Sequence, residues 1–201
     1  MYSLPEVFII FDTEFTSWEG SLENNWNREG EFKEMVQIAG FKVEKKGNSL
    51  EIIDSIDIII RPKINPKLSN YFTNLTGLTQ DKIDNEGISF KDGIKKFYQF
   101  SKNNNKKIKL FSYGNDFLEL NENFDYYNFP EKSKFRNWSK YFFDVKEVFA
   151  PFVNVNKFSS GTIFQSFNIA SDKKIDVHNS LWDSYSILIS LNYLMENNKL
   201  K

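Results

Sequence analysis

Val7-Phe8-Ile9-Ile10-Phe11-Asp12-Thr13-Glu14-Phe15 decides the reading of this chain, because five consecutive apolar residues run directly into two carboxylates. Aromatic and β-branched residues favour a strand. The lack of alternation from Val7 to Asp12 predicts one buried on both faces, as a central strand is. Asp12 and Glu14 are two apart, so on a strand they leave the same face and can address one point. In a chain with 27 acidic residues such a triplet is common by itself. Its position carries the information: where a buried strand emerges, unpaired carboxylates are unfavourable unless a cation meets them. Ligand sites of open α/β sheets also favour the carboxyl ends of strands.

Working outward, Val36 to Val43 and Ile52 to Ile60 read as two more strands, the latter with isoleucine at 52, 56, 58 and 60 and a stop at Arg61-Pro62. Together with the first they predict an antiparallel meander. The intervening stretch, Thr16 to Lys33, holds Trp18, Gly20, Trp26 and Gly30 among polar residues, a loop long enough to suggest function. Pro62 to Leu68 reads as extended, and Thr79 caps a short helix. Ser89 to Ser101 carries apolar residues at helical spacing, and the Asn/Lys run 102–107 ends it in a solvated turn. Lys109 to Tyr113 is a strand, Asn115 caps a helix through Asn121, and Tyr141 to Asp144 is a short strand. Val145 to Ala150 is a helical turn and Ser160 to Ile169 a helix. The last helix lies between Asn179 and Asn198, with Leu181, Tyr185, Leu188, Leu191 and Met195 as its apolar stripe. Three leading strands followed by alternating helices and strands predict an α/β layered domain, a mixed sheet with helices on its faces. No repeat or linker divides it, so a single domain over residues 1–201 is expected.

Composition narrows the chemistry. With no cysteine and one histidine, thiolate nucleophiles, disulfides and multi-histidine or cysteine metal sites are excluded. Any metal has to be held mainly by carboxylate oxygens, which suits magnesium or manganese. The 26 basic residues balance the 27 acidic ones, so a nucleic-acid ligand would need a local basic groove. No apolar run approaches a membrane span and no secretory signal is visible at the start, so a soluble, cytoplasmic protein is the expectation. The segment Lys132, Lys134, Arg136 and Lys140, interleaved with Phe135 and Trp138, is a weaker candidate for tracking phosphates and reads better as a solvated loop.

Three further residues can join the first pair. Asp116 follows a second strand, at the junction with a helix. His178, the sole histidine, falls just before the last helix, and Asp183 lies in that helix among Leu181, Trp182 and Tyr185, where an aspartate needs a partner. In order and spacing, Asp12-x-Glu14, Asp116 and His178-x5-Asp183 resemble the three motifs of the DEDDh 3'-to-5' exonucleases, over nearly the whole chain. Arg61-Pro62-Lys63-Ile64-Asn65-Pro66 and Leu75-Thr76-Gly77-Leu78-Thr79-Gln80 are similar to segments of the RNA-trimming exoribonuclease branch and of the KapD-like bacterial proteins. Ser180 stands where the family often has alanine, and Asp125, a competitor for Asp116, comes too late after its strand.

The resemblance implies a ribonuclease H-like fold and hydrolysis of single-stranded RNA or DNA from the 3' end, with a nucleoside monophosphate as product and RNA favoured. It implies two Mg2+ or Mn2+ ions held by Asp12, Glu14, Asp116 and Asp183, with His178 as general base. By the same analogy Phe15, Thr16, Thr76, Gly77 and Leu78 would contact the terminal nucleotide. A single-stranded-DNA or proofreading exonuclease is the alternative enzyme, and an inactive nucleic-acid-binding module the alternative of another class.

Overall fold

The computed structural model describes residues 2–132, 137–171 and 176–201. Its centre is β1 (Val7–Phe15), which pairs antiparallel with β2 (Met35–Lys46), itself antiparallel to β3 (Ser49–Ile59). On the other side β6 (Lys109–Ser112) lies parallel to β1, and β7 (Phe142–Asp144) parallel to β6. The five-stranded order is β3-β2-β1-β6-β7, a mixed sheet as the sequence predicts.

Burial of β1 on both faces follows from two separate cores. Phe8 and Ile10 enter one that includes Ile187, Leu188, Leu191 and Met195 of the last helix; Ile9 and Phe11 enter the other, with Phe90, Ile94, Phe97, Leu120 and Phe124. Those residues belong to α7 (Ser180–Glu196), α4 (Phe90–Phe100) and α5 (Asp116–Tyr126). Helix α7 lies close to the sheet because Ser184, Ser186 and Ser190 are small and fully buried, and the Ser184 hydroxyl donates to the Ala39 carbonyl at 3.1 Å. Asn179 caps α7 by accepting from the Leu181 and Trp182 amides. Gly40 sits opposite Phe11 in the β1–β2 register, and a Cβ there would lie 2.2 Å from the Ile10 carbonyl oxygen and 2.8 Å from the Phe11 Cα.

Several elements differ from the sequence reading. The 102–107 stretch is a small hairpin, β4 (Lys102–Asn103) with β5 (Lys106–Lys107), turned by Asn104 and Asn105 at φ of 48° and 62°. Asparagine tolerates that conformation, so a hairpin forms where a polar turn was expected. A helix missed in the sequence, α2 (Asn70–Thr76), is capped by Ser69, and α3 (Gln80–Glu86) by Thr79 as expected. The long loop contains a one-turn helix, α1 (Ser21–Asn24), and α6 (Lys146–Phe149) follows β7. Ser160–Phe167 is 3-10 rather than α-helical. Asn115 precedes α5 without a side-chain capping bond, since its backbone (φ −101°, ψ 24°) is not in the extended region that aims a cap. Of the basic segment, Lys134, Phe135 and Arg136 lie outside the described residues. Trp138 is fully buried in the core, which removes it as a stacking platform there, and Lys132 is paired with Asp125.

The Gly40 contacts are with backbone, which has no room to yield. Gly40→Ala should therefore destabilise the fold by about 2–3 kcal/mol or more, the range for overpacking, measured as a lowered urea midpoint with unchanged slope; a midpoint within error of the wild type would contradict this packing.

Candidate active site

Asp12 and Glu14 leave the carboxyl-terminal end of β1 on one face, and α7 crosses that face with Asp183 in its first turn. Ligand oxygens of Asp12, Glu14 and Asp183 all lie within 4.8 Å of one another, and Asp12 and Asp183 are buried, at 6% and 3% exposure. Asp116, the first residue of α5, arrives from the neighbouring parallel strand β6. Its Oδ1 accepts from the Thr13 hydroxyl at 2.5 Å, so the residue between the two β1 carboxylates positions the third.

The electrostatics are those of like charges crowded in a desolvated place. Burial raises Asp12 and Glu14 well above the usual carboxylate range, and the neighbouring charges of Asp183 and Asp116 push both further. Desolvation raises Asp116 to about 6 against its hydrogen bonds from Thr13 and Ser112. Asp183 is raised to about 7 by burial, opposed by bonds from the Ser160 hydroxyl and the His178 amide. All four carboxylates thus favour a shared proton or a cation. An all-oxygen donor set of this kind fits a hard divalent cation.

His178 is exposed, with φ of 69°, and its amide donates to Asp183 Oδ1 at 3.3 Å, so the aspartate of the helix also holds the turn that carries the histidine. Partial desolvation lowers its pKa, which keeps the imidazole neutral near neutral pH. His178 shares a cavity of about 300 Å³ with Glu14, Phe15, Leu22, Trp26, Tyr71 and Leu75.

Of the residues assigned to substrate by analogy, Phe15 lines this cavity. The other four lie behind or beside its wall. Thr16 is buried, donating its hydroxyl to the Phe32 carbonyl and accepting from the Glu34 amide. Thr76 is buried too, with its hydroxyl donating to Phe72 O and accepting from Leu78 N, while Leu78 packs among Val36, Ile59, Phe72 and Ile83. Gly77 is the left-handed C-cap of α2, at φ 73°. The wall from that helix is exposed Tyr71 and half-buried Leu75 instead.

Two further residues bear on the site and escaped the sequence reading. Ser160 donates to Asp183 Oδ2 at 2.7 Å. Gly161 passes so close that a Cβ would lie 2.3 Å from Asp183 Oδ1. Neither leaves a local signal, because both act across 22 or more residues of sequence. Trp26 also does more than fill a loop: its indole N–H donates to the Thr16 carbonyl at 2.8 Å, and Lys33 sits over its ring at 4.4 Å while paired with Glu119.

A family model described as Exonuclease, of the RNase T type, matches residues 9–189, and the chain belongs to that family. It is similar to the probable 3'-5' exonuclease KapD of Bacillus subtilis (strain 168), at 30% identity over 134 residues, 65% of this chain and 60% of that protein. The match thus spans about three fifths of the relative's length. The fold is the ribonuclease H-like one of solved exonucleases. The nuclease domain of 3'hExo, a DEDDh family member bound to rAMP, aligns with a TM-score of 0.77 at 21% identity, covering 98% of this chain and 95% of that one. Escherichia coli exonuclease I in complex with a dA16 oligonucleotide aligns at 0.63 and 14%, covering 97% and 42%. Among the described residues no helix is long and apolar enough to cross a membrane.

Two outcomes follow. Carboxylates whose folded pKa lies above the unfolded value bind more protons in the native state, so stability is lost as pH rises from about 4 through the site values of about 6 and 7. The metal-free protein should melt lower at pH 8 than at pH 5.5. Manganese at about 100 times its Kd should raise the pH 8 melting temperature by roughly 5–10 °C, and less at pH 5.5; an equal response at both would contradict the charge crowding. Gly161→Ala, which displaces Asp183, should weaken that manganese response by about tenfold in Kd in a folded protein, in the range for disturbed ligand support.

Proposed function

We propose that the chain is a metal-dependent 3'-to-5' exonuclease, one domain over residues 1–201, with RNA favoured over DNA. The observation that carries the reading is the convergence of Asp12, Glu14 and Asp183 within 4.8 Å beside Asp116, with the sole histidine on the adjoining cavity. In this reading the four carboxylates hold two Mg2+ or Mn2+ ions, which supply charge stabilisation for in-line attack on a phosphodiester. His178, neutral and reachable by water, accepts the proton of the attacking water and returns it to solvent. The 3'-terminal nucleotide enters the cavity against Phe15, and Trp26, Tyr71 and Leu75 offer apolar surface to its base. Thr16, Thr76, Gly77 and Leu78 support that wall from behind.

Two features favour RNA. The Leu75 to Gln80 segment resembles the RNA-trimming branch, and the 3'hExo nuclease domain, solved with rAMP, superposes over almost its full length. Single-stranded DNA remains the alternative substrate, as exonuclease I was solved with one. The site sits in about 300 Å³ of space, at the small end of ligand cavities, which suits one unpaired nucleotide.

The deciding experiment incubates the protein with 5'-labelled single-stranded RNA and DNA oligonucleotides in magnesium, manganese or chelator. A ladder shortening from the 3' end, present with metal and lost with chelator, is expected, faster on RNA. Asp12→Asn and Asp183→Asn should each lower kcat by about 10³-fold or more while melting as folded proteins. His178→Ala should lose about 10²- to 10⁴-fold yet keep the manganese-induced melting shift. A ladder from Asp12→Asn at the wild-type rate would remove that residue from the site, and no ladder on any substrate would favour a binding module.

A further inference from the structure

A second cavity, of about 340 Å³, opens beyond the far end of α5, between the 61–63 segment and the start of α4. Helix α5 carries Asp116 at its first residue, and its 11 residues span about 16 Å, so the cavity lies roughly that far from the carboxylate cluster. Its floor is the half-buried Tyr127 ring, backed by buried Phe90, which stacks on it with centroids 4.7 Å apart and planes at 13°, and by buried Phe129, which meets Phe90 edge-on. Its rim is cationic. Arg61, Lys63 and Lys91 are exposed, and none forms an ion pair among the described residues. Three cations thus line one apolar hollow.

The walls are built rather than loose. Glu34, fully buried, accepts from the amides of Lys63, Ile64 and Asn65 at 2.7, 2.8 and 2.5 Å and from the Tyr127 hydroxyl at 2.5 Å. The Arg61 guanidinium is fixed by donation to the Asp84 carbonyl at 2.7 Å. The Glu34 backbone bonds to Thr16 in both directions, which ties the hollow to the end of β1.

We propose that this hollow is an upstream strand site, where an internal nucleotide of a bound single strand rests its base against the half-buried Tyr127 ring and its phosphates on Arg61, Lys63 and Lys91. Stacking on aromatic side chains beside a basic rim is the chemistry of sequence-tolerant single-strand binding. Tolerance fits this hollow, because the Tyr127 hydroxyl is already committed to Glu34 and little else on the floor can read a base edge. At about 3.4 Å per stacked nucleotide, the straight 16 Å sets a minimum of roughly five nucleotides from the cleaved end. Straight passage along α5 is disfavoured by the carboxylates of Glu119, Glu122 and Asp125, so the strand crosses the 62–66 segment, where Ile64 is exposed.

The site goes beyond the exonuclease reading and is tested without turnover. Fluorescence anisotropy in chelator measures the binding of a 5'-labelled U12 RNA by the wild type, by Lys63→Ala/Lys91→Ala, and by Lys106→Ala/Lys199→Ala, which removes the same charge elsewhere. The first pair should weaken binding about fivefold to tenfold and reduce the slope of log affinity against log salt by about 1.4, and the second by less than twofold. Magnesium-dependent cleavage of U3, too short to reach the hollow, should be the same in all three. Equal weakening by both pairs, or none by the first, overturns the proposal. So does loss of a UMP-binding equivalent in the first pair with U12 affinity intact, which would make the hollow a mononucleotide site. Failure to cleave U3 in the wild type would count against the exonuclease reading alone.

Discussion

Four carboxylates gathered where water is scarce are the constraint around which the rest of this molecule is arranged. In isolation each would ionise near pH 4; together, desolvation and mutual repulsion lift them, Asp116 to about 6 and Asp183 to about 7. A protein gains nothing in stability from such a cluster. It persists only because strong packing elsewhere over-determines the geometry, and the packing here is of that kind: β1 is gripped between two aromatic-rich cores, and its residues Phe8, Ile9, Ile10 and Phe11 are at most 1% exposed. The apolar run holds the strand so firmly that its polar end has nowhere else to go.

The supports of the cluster are all polar and all reach from other elements. Thr13 points to the opposite face from Asp12 in strand alternation, yet its hydroxyl reaches Asp116 and fixes the start of α5. Ser160 and the His178 amide hold the two oxygens of Asp183, and Gly161 clears the space they need. Gln37, on the strand next to β1, accepts from the Ser180 amide and donates to Asp57, so α7 and β3 are indexed against the same residue. These bonds add little to net stability. They select one arrangement of charges that would otherwise move apart.

What was legible in the sequence was whatever depends on runs and periods. The central strand, the meander, the parallel strand before Asp116 and the final helix each bury many apolar residues in a regular pattern, and each lies within a few residues of its expected bounds. What escaped depends on single distant contacts. Helix α2 has seven residues and only Phe72 and Thr76 buried, too little for a visible stripe. The hairpin at 102–107 rests on two asparagines in left-handed conformation, chemistry that composition hides among polar residues. Of the proposed site, the four acidic residues and the histidine could be named from order and spacing, whereas Ser160 and Gly161 could not, because nothing near them in sequence marks a neighbour of Asp183. Thr76 and Leu78 are the converse case: their segment resembles the family's, and both side chains face inward.

The loop from Thr16 to Lys33 changes how the site should be viewed. A stretch of that length invites the idea of a free lid, but Trp26 is hydrogen-bonded to Thr16, Lys33 bridges from the Trp26 ring to Glu119, and Asn65 ties Gly30 to the 61–66 segment. With the loop so anchored, the cavity has walls tied in place on the side of Phe15 and Trp26, and in the proposed function selection of a nucleotide would fall to shape rather than to closure. His178 is the contrast. It is exposed, its backbone is in a conformation side chains adopt rarely, and its described anchor is one long bond from its amide to Asp183. A group that must pick up a proton and release it to water in each cycle is better served by that footing than by burial, whereas groups that hold cations are better served by burial. The two kinds of residue in the proposed site therefore occupy environments that suit the tasks proposed for them, and the same helix end, through Asp183, connects them.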